Sequence, residues 1–300
     1  MNEKLIKFLA SISRNTPHFK GKYRIGLLVQ KVLNSSNNWN EPEFFIQLKN
    51  ETELYIDIRS GTHKVPFWTG MRDEKIIRLI QKNIKPNAIV FDVGANIGYY
   101  AIPLANHIKN SGGEVHAFEP VNSNYKSLEF AIERNQLTNV KANKIALGAK
   151  PGNIEIVLTE AGNSGNAVLS FNDNEFENNL IKETIPMTTL DLYMEKANLD
   201  RCDFIKIDIE GAEIFFFQGG LKFIEKFKPI IYGEFNSCFL KKFGFTIIDI
   251  WKLIEPMGYT VYVENKARRG KFKKIEIKDG MEDLLLLPPN ETNIEKWITN

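Results

Sequence analysis

An apolar segment that runs directly into a glycine turn constrains the fold of this chain more than any other feature. Residues 88–93 have the sequence Ala-Ile-Val-Phe-Asp-Val, and Gly94 and Gly98 follow them. The β-branched and aromatic residues are typical of a parallel strand that is buried on both faces. The glycines let the backbone approach a ligand, because they carry no Cβ atom. Ligands bind at the carboxyl edge of open α/β sheets, so the segment predicts a binding site at the end of this strand.

Two acidic residues indicate which ligand this site binds. The spacing Asp92-x-Gly94-x-x-x-Gly98 differs from the Gly-x-Gly-x-x-Gly turn that holds the pyrophosphate of a dinucleotide. Asp92 would repel a phosphate, but it can accept hydrogen bonds from an ammonium group such as that of S-adenosylmethionine. Glu119 ends a second short apolar segment beyond the turn, a position that suits the ribose hydroxyls of an adenosine.

Three ordered segments carry a family resemblance. They are residues 92–98 (Asp-Val-Gly-Ala-Asn-Ile-Gly), 117–120 (Ala-Phe-Glu-Pro) and 205–213 (Ile-Lys-Ile-Asp-Ile-Glu-Gly-Ala-Glu). Together they resemble the FkbM family of class I, S-adenosylmethionine-dependent methyltransferases. We therefore predict a doubly wound α/β fold with a mainly parallel seven-stranded sheet, preceded by an N-terminal helical and β-rich extension.

The resemblance also implies a cofactor and a function. It assigns S-adenosylmethionine binding to Asp92, Gly94, Asn96, Gly98 and Glu119, and it places Ile145 and Ala146 beside the adenine. FkbM-like enzymes are associated with methylation of hydroxyls, so we expect an O-methyltransferase that acts on a sugar, a glycan or a glycan precursor. The alternatives are a polyketide or other small natural product as acceptor, an RNA or protein N-methyltransferase, and a non-catalytic relative. An oxidoreductase is disfavoured, because the phosphate-binding turn is missing.

The third segment carries the candidate catalytic residues. Asp208 and Glu210 end the predicted strand 203–208, so they would face the same crevice as Asp92 and Glu119. Methyl transfer to a hydroxyl requires alignment of oxygen, methyl and sulfur, and it requires a group that takes the hydroxyl proton. We predict that Asp208 is this base and that Glu210 orients the acceptor or the cofactor. A carboxylate stabilised by a helix N-terminus is the alternative role of Glu210.

The next predicted strand, 229–234, supplies candidate acceptor-binding residues. Glu234 and Asn236 could bind acceptor hydroxyls or could only close a turn. Asp208, Glu210 and Glu234 could also provide oxygen ligands for Mg²⁺ or Ca²⁺. Sequence spacing does not establish that these carboxylates converge, so a divalent metal stays an alternative and we predict no metal ligand.

The pattern of elements divides the chain into two parts. Residues 1–70 are predicted as a helical segment over 4–33 and a β-rich cap with a hairpin at 44–48 and 54–58, and residues 71–300 as the Rossmann-like domain. The remaining strands are predicted at 88–93, 114–118, 139–145, 154–158, 203–208, 229–234, 259–264 and 283–287, the last two antiparallel, with helices at 72–83, 97–109, 122–135 and 245–256. A polar loop over 161–167 is of the type that positions substrates.

The first helix has an apolar stripe. Leu5, Phe8, Leu9 and Ile12 fall at helical spacing, which favours packing on the domain itself, with a membrane-surface helix as the alternative. A homodimer through the N-terminal helices is possible. His63 is expected on the surface, although it could reach the site if the β-rich cap folds over it.

Charge and composition indicate few partners beyond a small-molecule or glycan acceptor. The formal net charge is +2, so nucleic acid is a disfavoured partner. The basic segment 266–274 is predicted as an exposed hairpin tip, with nucleic acid, anionic glycan or lipid phosphate as alternative contacts. The two cysteines form no metal-type pair, and no apolar run has the length of a signal peptide or a membrane span. We therefore expect a cytoplasmic protein.

Overall fold

The computed structural model describes residues 2–17, 19–34, 39–71, 73–159, 168–169, 180–265 and 270–298, and the predicted loop 161–167 lies outside them. The helices are α1 (Asn2–Asn15), α2 (Lys22–Leu33), α3 (Lys64–Thr69), α4 (Glu74–Asn83), α5 (Ala101–Ile108), α6 (Asn122–Arg134), α7 (Leu190–Lys196), α8 (Glu213–Gln218), α9 (Leu221–Phe227), α10 (Ser237–Lys242), α11 (Ile247–Ile254) and α12 (Ile294–Trp297). The strands are β1 (Glu43–Gln47), β2 (Glu53–Asp57), β3 (Ile89–Val93), β4 (Glu114–Phe118), β5 (Val140–Asn143), β6 (Ala146–Leu147), β7 (Gly152–Thr159), β8 (Val168–Leu169), β9 (Leu180–Thr188), β10 (Phe204–Ile207), β11 (Ile230–Glu234), β12 (Thr260–Glu264), β13 (Phe272–Lys274) and β14 (Asp283–Leu287).

The central sheet has the strand order β13-β12-β14-β11-β10-β3-β4-β5. Strands β11, β10, β3, β4 and β5 pair in parallel, and β14 runs antiparallel to both β11 and β12. The prediction of a doubly wound, mainly parallel sheet with a final antiparallel pair is confirmed. The short β13 adds an eighth strand at the edge. The chain order reverses between β3 and β10, which is where open α/β sheets bind their ligands.

Apolar strands explain why the centre of this sheet is buried on both faces. Val90 and Phe91 of β3 and Phe204 and Ile205 of β10 are fully buried. Such near-continuous apolar runs are expected where helices cover both faces of a parallel sheet.

Two predicted elements end or begin elsewhere. The helix predicted over 97–109 begins only at Ala101, because Asn96 (φ 50°) and Gly98 (φ 89°) hold the preceding backbone in left-handed turns. The strand predicted over 139–145 ends at Asn143, and the chain then enters a second sheet through β6.

This second sheet has the order β6-β9-β7-β8 and was only partly predicted. The sequence indicated strand 154–158, which lies within β7, but not its partner β9. The two strands pair antiparallel along their whole length, from Gly152 opposite Met187 to Thr159 opposite Leu180. Charged residues and Pro186 interrupt the apolar alternation of β9, and this hides the strand from pattern reading.

The N-terminal elements share their core with the central sheet. The β1–β2 hairpin is antiparallel as predicted, and Tyr55 of β2 contacts Phe130 of α6 with ring centroids 4.8 Å apart. One cluster of buried side chains includes Ile6 of α1 and Leu54 of β2 together with Val90 of β3. The extension is therefore packed against the sheet rather than built around a core of its own.

The apolar stripe of α1 does not pack as expected. Leu5, Phe8 and Ile12 are exposed, whereas Ile6 and Ala10 are fully buried. The helix therefore packs on the domain as predicted, but through Ile6, Ala10 and the half-buried Leu9 rather than through the whole stripe. The face that carries the smaller Ala10 packs inward instead. Within the described ranges, no helix combines the length and the apolar character needed to cross a bilayer.

Candidate functional site

The loops after β3 and β10 meet at the switch point of the sheet. We call residues 94–98 the glycine turn and residues 208–213 the acidic turn. Gly94 adopts φ 80°, and a Cβ atom at this position would overlap the carbonyl oxygen of Asp208. The backbone nitrogens of Gly94 and Ala95 both donate to the Phe118 carbonyl, at 3.0 and 2.9 Å. Only glycine allows the two turns to approach so closely.

Glu119 fixes the glycine turn from the end of β4. Its Oε2 accepts a hydrogen bond from the Asn96 nitrogen at 2.8 Å. Its Oε1 accepts from the Val121 nitrogen at 2.9 Å and from Asn124 Nδ2 at 3.3 Å. Burial raises the pKa of Glu119 to about 7, although these donors oppose the shift. A carboxylate offers about four acceptor positions, so one remains for a ligand.

Asp92 lies behind the glycine turn and is buried. Burial raises the pKa of Asp92 to about 7, and the positive charge of Lys206 acts against this shift. Asp92 Oδ2 has no hydrogen-bond partner among the described residues. A buried charged oxygen without a donor is costly, which agrees with the raised pKa of Asp92.

Asp208 begins the acidic turn, and its side chain is 39% exposed. Its Oδ2 lies 3.7 Å from the Nζ of Lys206, a lysine that is buried within β10. Lys206 Nζ donates to the Ile207 carbonyl at 3.1 Å and lies 5.0 Å from the ring centroid of Tyr100. Lys206 also stands directly opposite Asp92 in the β3–β10 register. One buried cation therefore lies between two carboxylates of the site.

Glu210 and Glu213 complete the acidic turn. Burial raises the pKa of Glu210 to about 8, and the negative charges of Asp208, Glu234 and Glu213 add to the shift. Glu213 is fully buried, and its Oε1 accepts from the nitrogens of Ile209 (3.1 Å) and Gly211 (3.2 Å). Glu213 therefore holds the backbone that presents Asp208 and Glu210.

A cavity of about 810 Å³ opens between the two turns. Its wall includes seven of the predicted site residues: Gly94, Asn96, Glu119, Ile145, Ala146, Asp208 and Glu210. Asp92 and Gly98 lie behind the wall and shape it. A Cβ atom on Gly98 would collide with the side chains of Ile102 and Leu128, so this glycine permits the close packing of α5 and α6.

The two residues after β11 have different roles. Glu234 ends the strand and acts on the site through its charge on Glu210. Asn236 Oδ1 accepts hydrogen bonds from the nitrogens of Cys238 at 3.0 Å and Phe239 at 3.4 Å. Asn236 therefore caps α10, and its contact with the acceptor stays a prediction.

The sequence model described as "Methyltransferase FkbM domain" matches residues 92–261, more than half of the chain. This chain belongs to the FkbM methyltransferase family. The matched residues contain both turns and Glu119, and they begin near the end of β3.

Three relatives place this FkbM chain among known proteins. A curated protein, Methyltransferase 1 of Beauveria bassiana, is 22% identical over 148 residues, and the match covers 44% of this chain and 58% of that protein. The crystal structure of Methyltransferase FkbM from Methylobacillus flagellatus KT has 16% identity and a TM-score of 0.46, and the match covers 95% of this chain and 58% of that one. M. jannaschii TYW2 in complex with AdoMet has 15% identity and a TM-score of 0.41, with coverages of 83% and 86%.

A metal centre is not apparent in this FkbM chain. Across the part of the chain that the structure describes, no group of three histidine, cysteine, aspartate or glutamate side chains could hold a metal ion. The alternative in which Asp208, Glu210 and Glu234 act as ligands for Mg²⁺ or Ca²⁺ therefore has no support from the geometry.

Sequence reasoning missed the roles of Lys206 and Glu213 at the site and favoured the wrong place for His63. The role of Lys206 could have been found in the sequence, because a lysine within an apolar strand is buried and then needs a partner of opposite charge. Glu213 was part of the quoted motif, but its contacts with the turn could not be read from spacing. His63 was expected on the surface and is instead buried; its Nδ1 accepts from the Asp57 nitrogen at 3.0 Å. Burial lowers the pKa of His63 to about 4, so the ring stays neutral beside Asn124.

Proposed function

We propose that this chain is an S-adenosylmethionine-dependent O-methyltransferase that methylates a hydroxyl of a sugar, a glycan or a glycan precursor. The observation that carries the proposal is the placement of Glu119 and of the Asp208–Glu210 pair on one cavity at the switch point. Family membership supports methyl transfer. The choice of acceptor rests on the acidic turn. This chain spans 58% of the length of the curated relative it matches, so the activity of the whole protein is part of the proposal.

The residues of the cavity fit S-adenosylmethionine. The remaining acceptor position of Glu119 suits a ribose hydroxyl, and the apolar Ile145 and Leu147 offer a surface for the adenine. The carboxylates of Asp208 and Glu210 on the cavity wall suit the positive charges of the methionine part, and the charge of Asp92 acts from behind the wall. The cofactor supplies an electrophilic methyl group on its sulfonium.

The chain's own residues supply the acid–base chemistry. Asp208 is partly exposed to the cavity and accepts the proton of the acceptor hydroxyl as the oxygen attacks. Lys206 positions the Asp208 carboxylate from within the sheet. Glu210 orients the acceptor, and a cation bound nearby favours its ionised form despite the raised pKa.

The acidic turn favours a neutral, polyhydroxylated acceptor. Asp208 and Glu210 lie on the cavity wall, and their carboxylates accept hydrogen bonds from hydroxyls. The same carboxylates repel phosphates, which disfavours an RNA acceptor at this end of the cavity. A cytoplasmic location belongs to the same proposal, since Cys202 and Cys238 are both unpaired.

The experiment is a two-stage measurement on the purified full chain. Calorimetric titrations compare S-adenosylmethionine with NAD, using wild type, Asp92→Ala and Glu119→Ala. Labelled S-adenosylmethionine is then offered with monosaccharides, nucleotide-linked sugars, polysaccharides and a polyketide alcohol, with and without Mg²⁺. We expect binding of S-adenosylmethionine alone, weakened by both substitutions, and label transfer to a sugar oxygen. A folded protein that binds NAD, or that does not bind S-adenosylmethionine, would contradict the proposal.

A further inference from the structure

The first two helices expose an unusual number of large apolar side chains. Phe8 of α1 and Leu28 of α2 are each 62% exposed, and Val32 is 71% exposed. We call the complete set the outer face: Leu5, Phe8, Ile12, Phe19, Ile25, Leu28 and Val32. A surface of this kind is rare on a free globular protein and marks an interaction site.

The buried sides of both helices rest on α3. On α1, Arg14 Nη1 donates to the Phe67 carbonyl at 2.9 Å. On α2, Gln30 Oε1 accepts from Trp68 Nε1 at 3.3 Å, and Gly26 lies directly against the Trp68 ring. Phe67 and Trp68 thus form the common floor beneath the two helices.

The apolar stripes lie on the side away from this floor. At 3.6 residues per turn, Phe8 projects roughly opposite to Ala10, and Leu28 roughly opposite to Gln30. Ala10 and Gln30 are buried, while Phe8 and Leu28 are exposed. The two helices also contact each other. The outer face is therefore one continuous surface formed by both helices.

The charges of this segment differ from those of the rest of the chain. Residues 1–34 contain seven of the 39 lysines and arginines but one of the 37 aspartates and glutamates. Lys4, Lys20, Arg24 and Lys31 are exposed beside the apolar stripes. The remainder of the chain carries more acidic than basic residues. Positive charge is therefore concentrated where the apolar side chains are exposed.

We infer that the outer face binds the surface of an anionic phospholipid bilayer. Apolar side chains that enter the headgroup boundary, with basic side chains beside them, are the features of an interfacial helix. Each lysine or arginine near an anionic surface strengthens such binding. A second copy of the chain fits less well, because a symmetric contact would bring the two basic segments together. This inference concerns a surface outside the cavity and goes beyond the proposed function.

The test is sedimentation of the full chain with vesicles, without cofactor or acceptor. Vesicles of phosphatidylcholine alone are compared with vesicles that also contain phosphatidylglycerol. We expect binding to the anionic vesicles, and the double variant Phe8→Ser/Leu28→Ser should weaken it by about tenfold or more. The matched control, Leu192→Ser/Ile248→Ser, removes exposed helical apolar residues elsewhere and should bind as wild type.

A charge variant separates the contribution of the basic side chains to vesicle binding from that of the apolar side chains. Lys20→Gln/Arg24→Gln/Lys31→Gln leaves the apolar side chains intact and should also weaken binding to anionic vesicles by about tenfold or more. Circular dichroism and S-adenosylmethionine titration confirm that each variant is folded. Absence of vesicle binding, or equal binding by wild type and Phe8→Ser/Leu28→Ser, would overturn the inference. A dimer that Phe8→Ser/Leu28→Ser dissociates would assign the outer face to a second copy and would also overturn it.

Discussion

The glycine turn and the acidic turn lie on the same cavity but satisfy their polar groups differently. In the glycine turn, the nitrogens of Gly94, Ala95 and Asn96 all donate to protein oxygens, on Phe118 and Glu119. In the acidic turn, Glu210 lies among like charges that raise its pKa further than burial alone. The first turn is fixed before any ligand binds. The second holds several carboxylates against the single buried cation of Lys206, so a bound cation would add a further favourable partner.

This difference suits two separate tasks. A fixed turn loses little conformational entropy on binding, so it can select the adenosine part of a cofactor by shape. Carboxylates held close together favour a bound cation, which lowers the raised pKa of Glu210, and an ionised carboxylate can accept a hydroxyl proton. Substitutions in the two turns should therefore have different effects on binding and on turnover.

The largest expected effect comes from Asp208→Asn. Because the amide cannot accept the hydroxyl proton, kcat should fall by about 10²–10⁴-fold, while S-adenosylmethionine still binds. Asp200→Asn, at an exposed position, is the control. Steady-state kinetics with the acceptor checks both variants. A kcat within about threefold of wild type would remove Asp208 from the role of base.

The next effect comes from Gly94→Ala, which damages both turns at once. The added Cβ would overlap the Asp208 carbonyl oxygen, so affinity for S-adenosylmethionine should fall by about 100-fold or more, with a lower melting temperature. Gly112→Ala is the matched control, because Gly112 also has a positive φ but nothing lies near its missing Cβ. Equal effects of the two substitutions would show that backbone strain, not the close approach of the turns, is responsible.

A smaller effect is expected from Glu119→Gln, which disturbs only the glycine turn. The amide keeps the shape but replaces a charged acceptor of three hydrogen bonds, so S-adenosylmethionine should bind about 10–100-fold more weakly. The turnover of bound substrate should change much less, because the acidic turn is intact. Glu195→Gln, on the exposed side of α7, is the control, and calorimetry with kinetics separates KM from kcat. A change in kcat without a change in the affinity for S-adenosylmethionine would show that Glu119 acts with the acidic turn instead.

The smallest effect concerns pH and stability. Burial raises the pKa values of Asp92, Glu119 and Glu213 to about 7 and that of Glu210 to about 8. The folded chain therefore holds more protons than the unfolded chain from about pH 4.5 to pH 8, so stability falls as the pH rises through this window. The melting temperature without ligand should be several degrees lower at pH 8.5 than at pH 6, and Glu210→Gln should reduce the difference. A melting temperature that rises over this range would contradict the raised pKa values.

The same contrast explains how much the sequence alone could predict. The sequence places three site residues at or directly after the end of an apolar strand: Asp92, Gly94 and Glu119. Their position at the switch point could therefore be predicted from the strand pattern alone. The support of the acidic turn depends on contacts made in three dimensions. The Lys206–Asp208 ion pair and the Glu213 hydrogen bonds require the exact path of the backbone.

The errors in the sequence analysis have physical causes. Helical spacing identified the apolar stripe of α1, but spacing does not reveal which face meets the domain. The inward face of α1 is set by its packing on α3, where Ala10 is buried and Arg14 donates to the Phe67 carbonyl. For Asn236 the sequence left acceptor binding and a turn role open, because the capping of α10 depends on the path of the backbone after β11.

One measurement tests the contrast between the two turns most directly. S-adenosylmethionine and S-adenosylhomocysteine, which lacks the methyl group and the charge on sulfur, are titrated near pH 7.5 in two buffers of different ionisation enthalpy. If the positive charge on the cofactor sulfur lowers the pKa of Glu210, binding of S-adenosylmethionine should release more protons than binding of S-adenosylhomocysteine does. The variant Glu210→Gln should remove most of this difference. Equal proton release by the two ligands, or no binding of S-adenosylmethionine to the folded chain, would contradict this account.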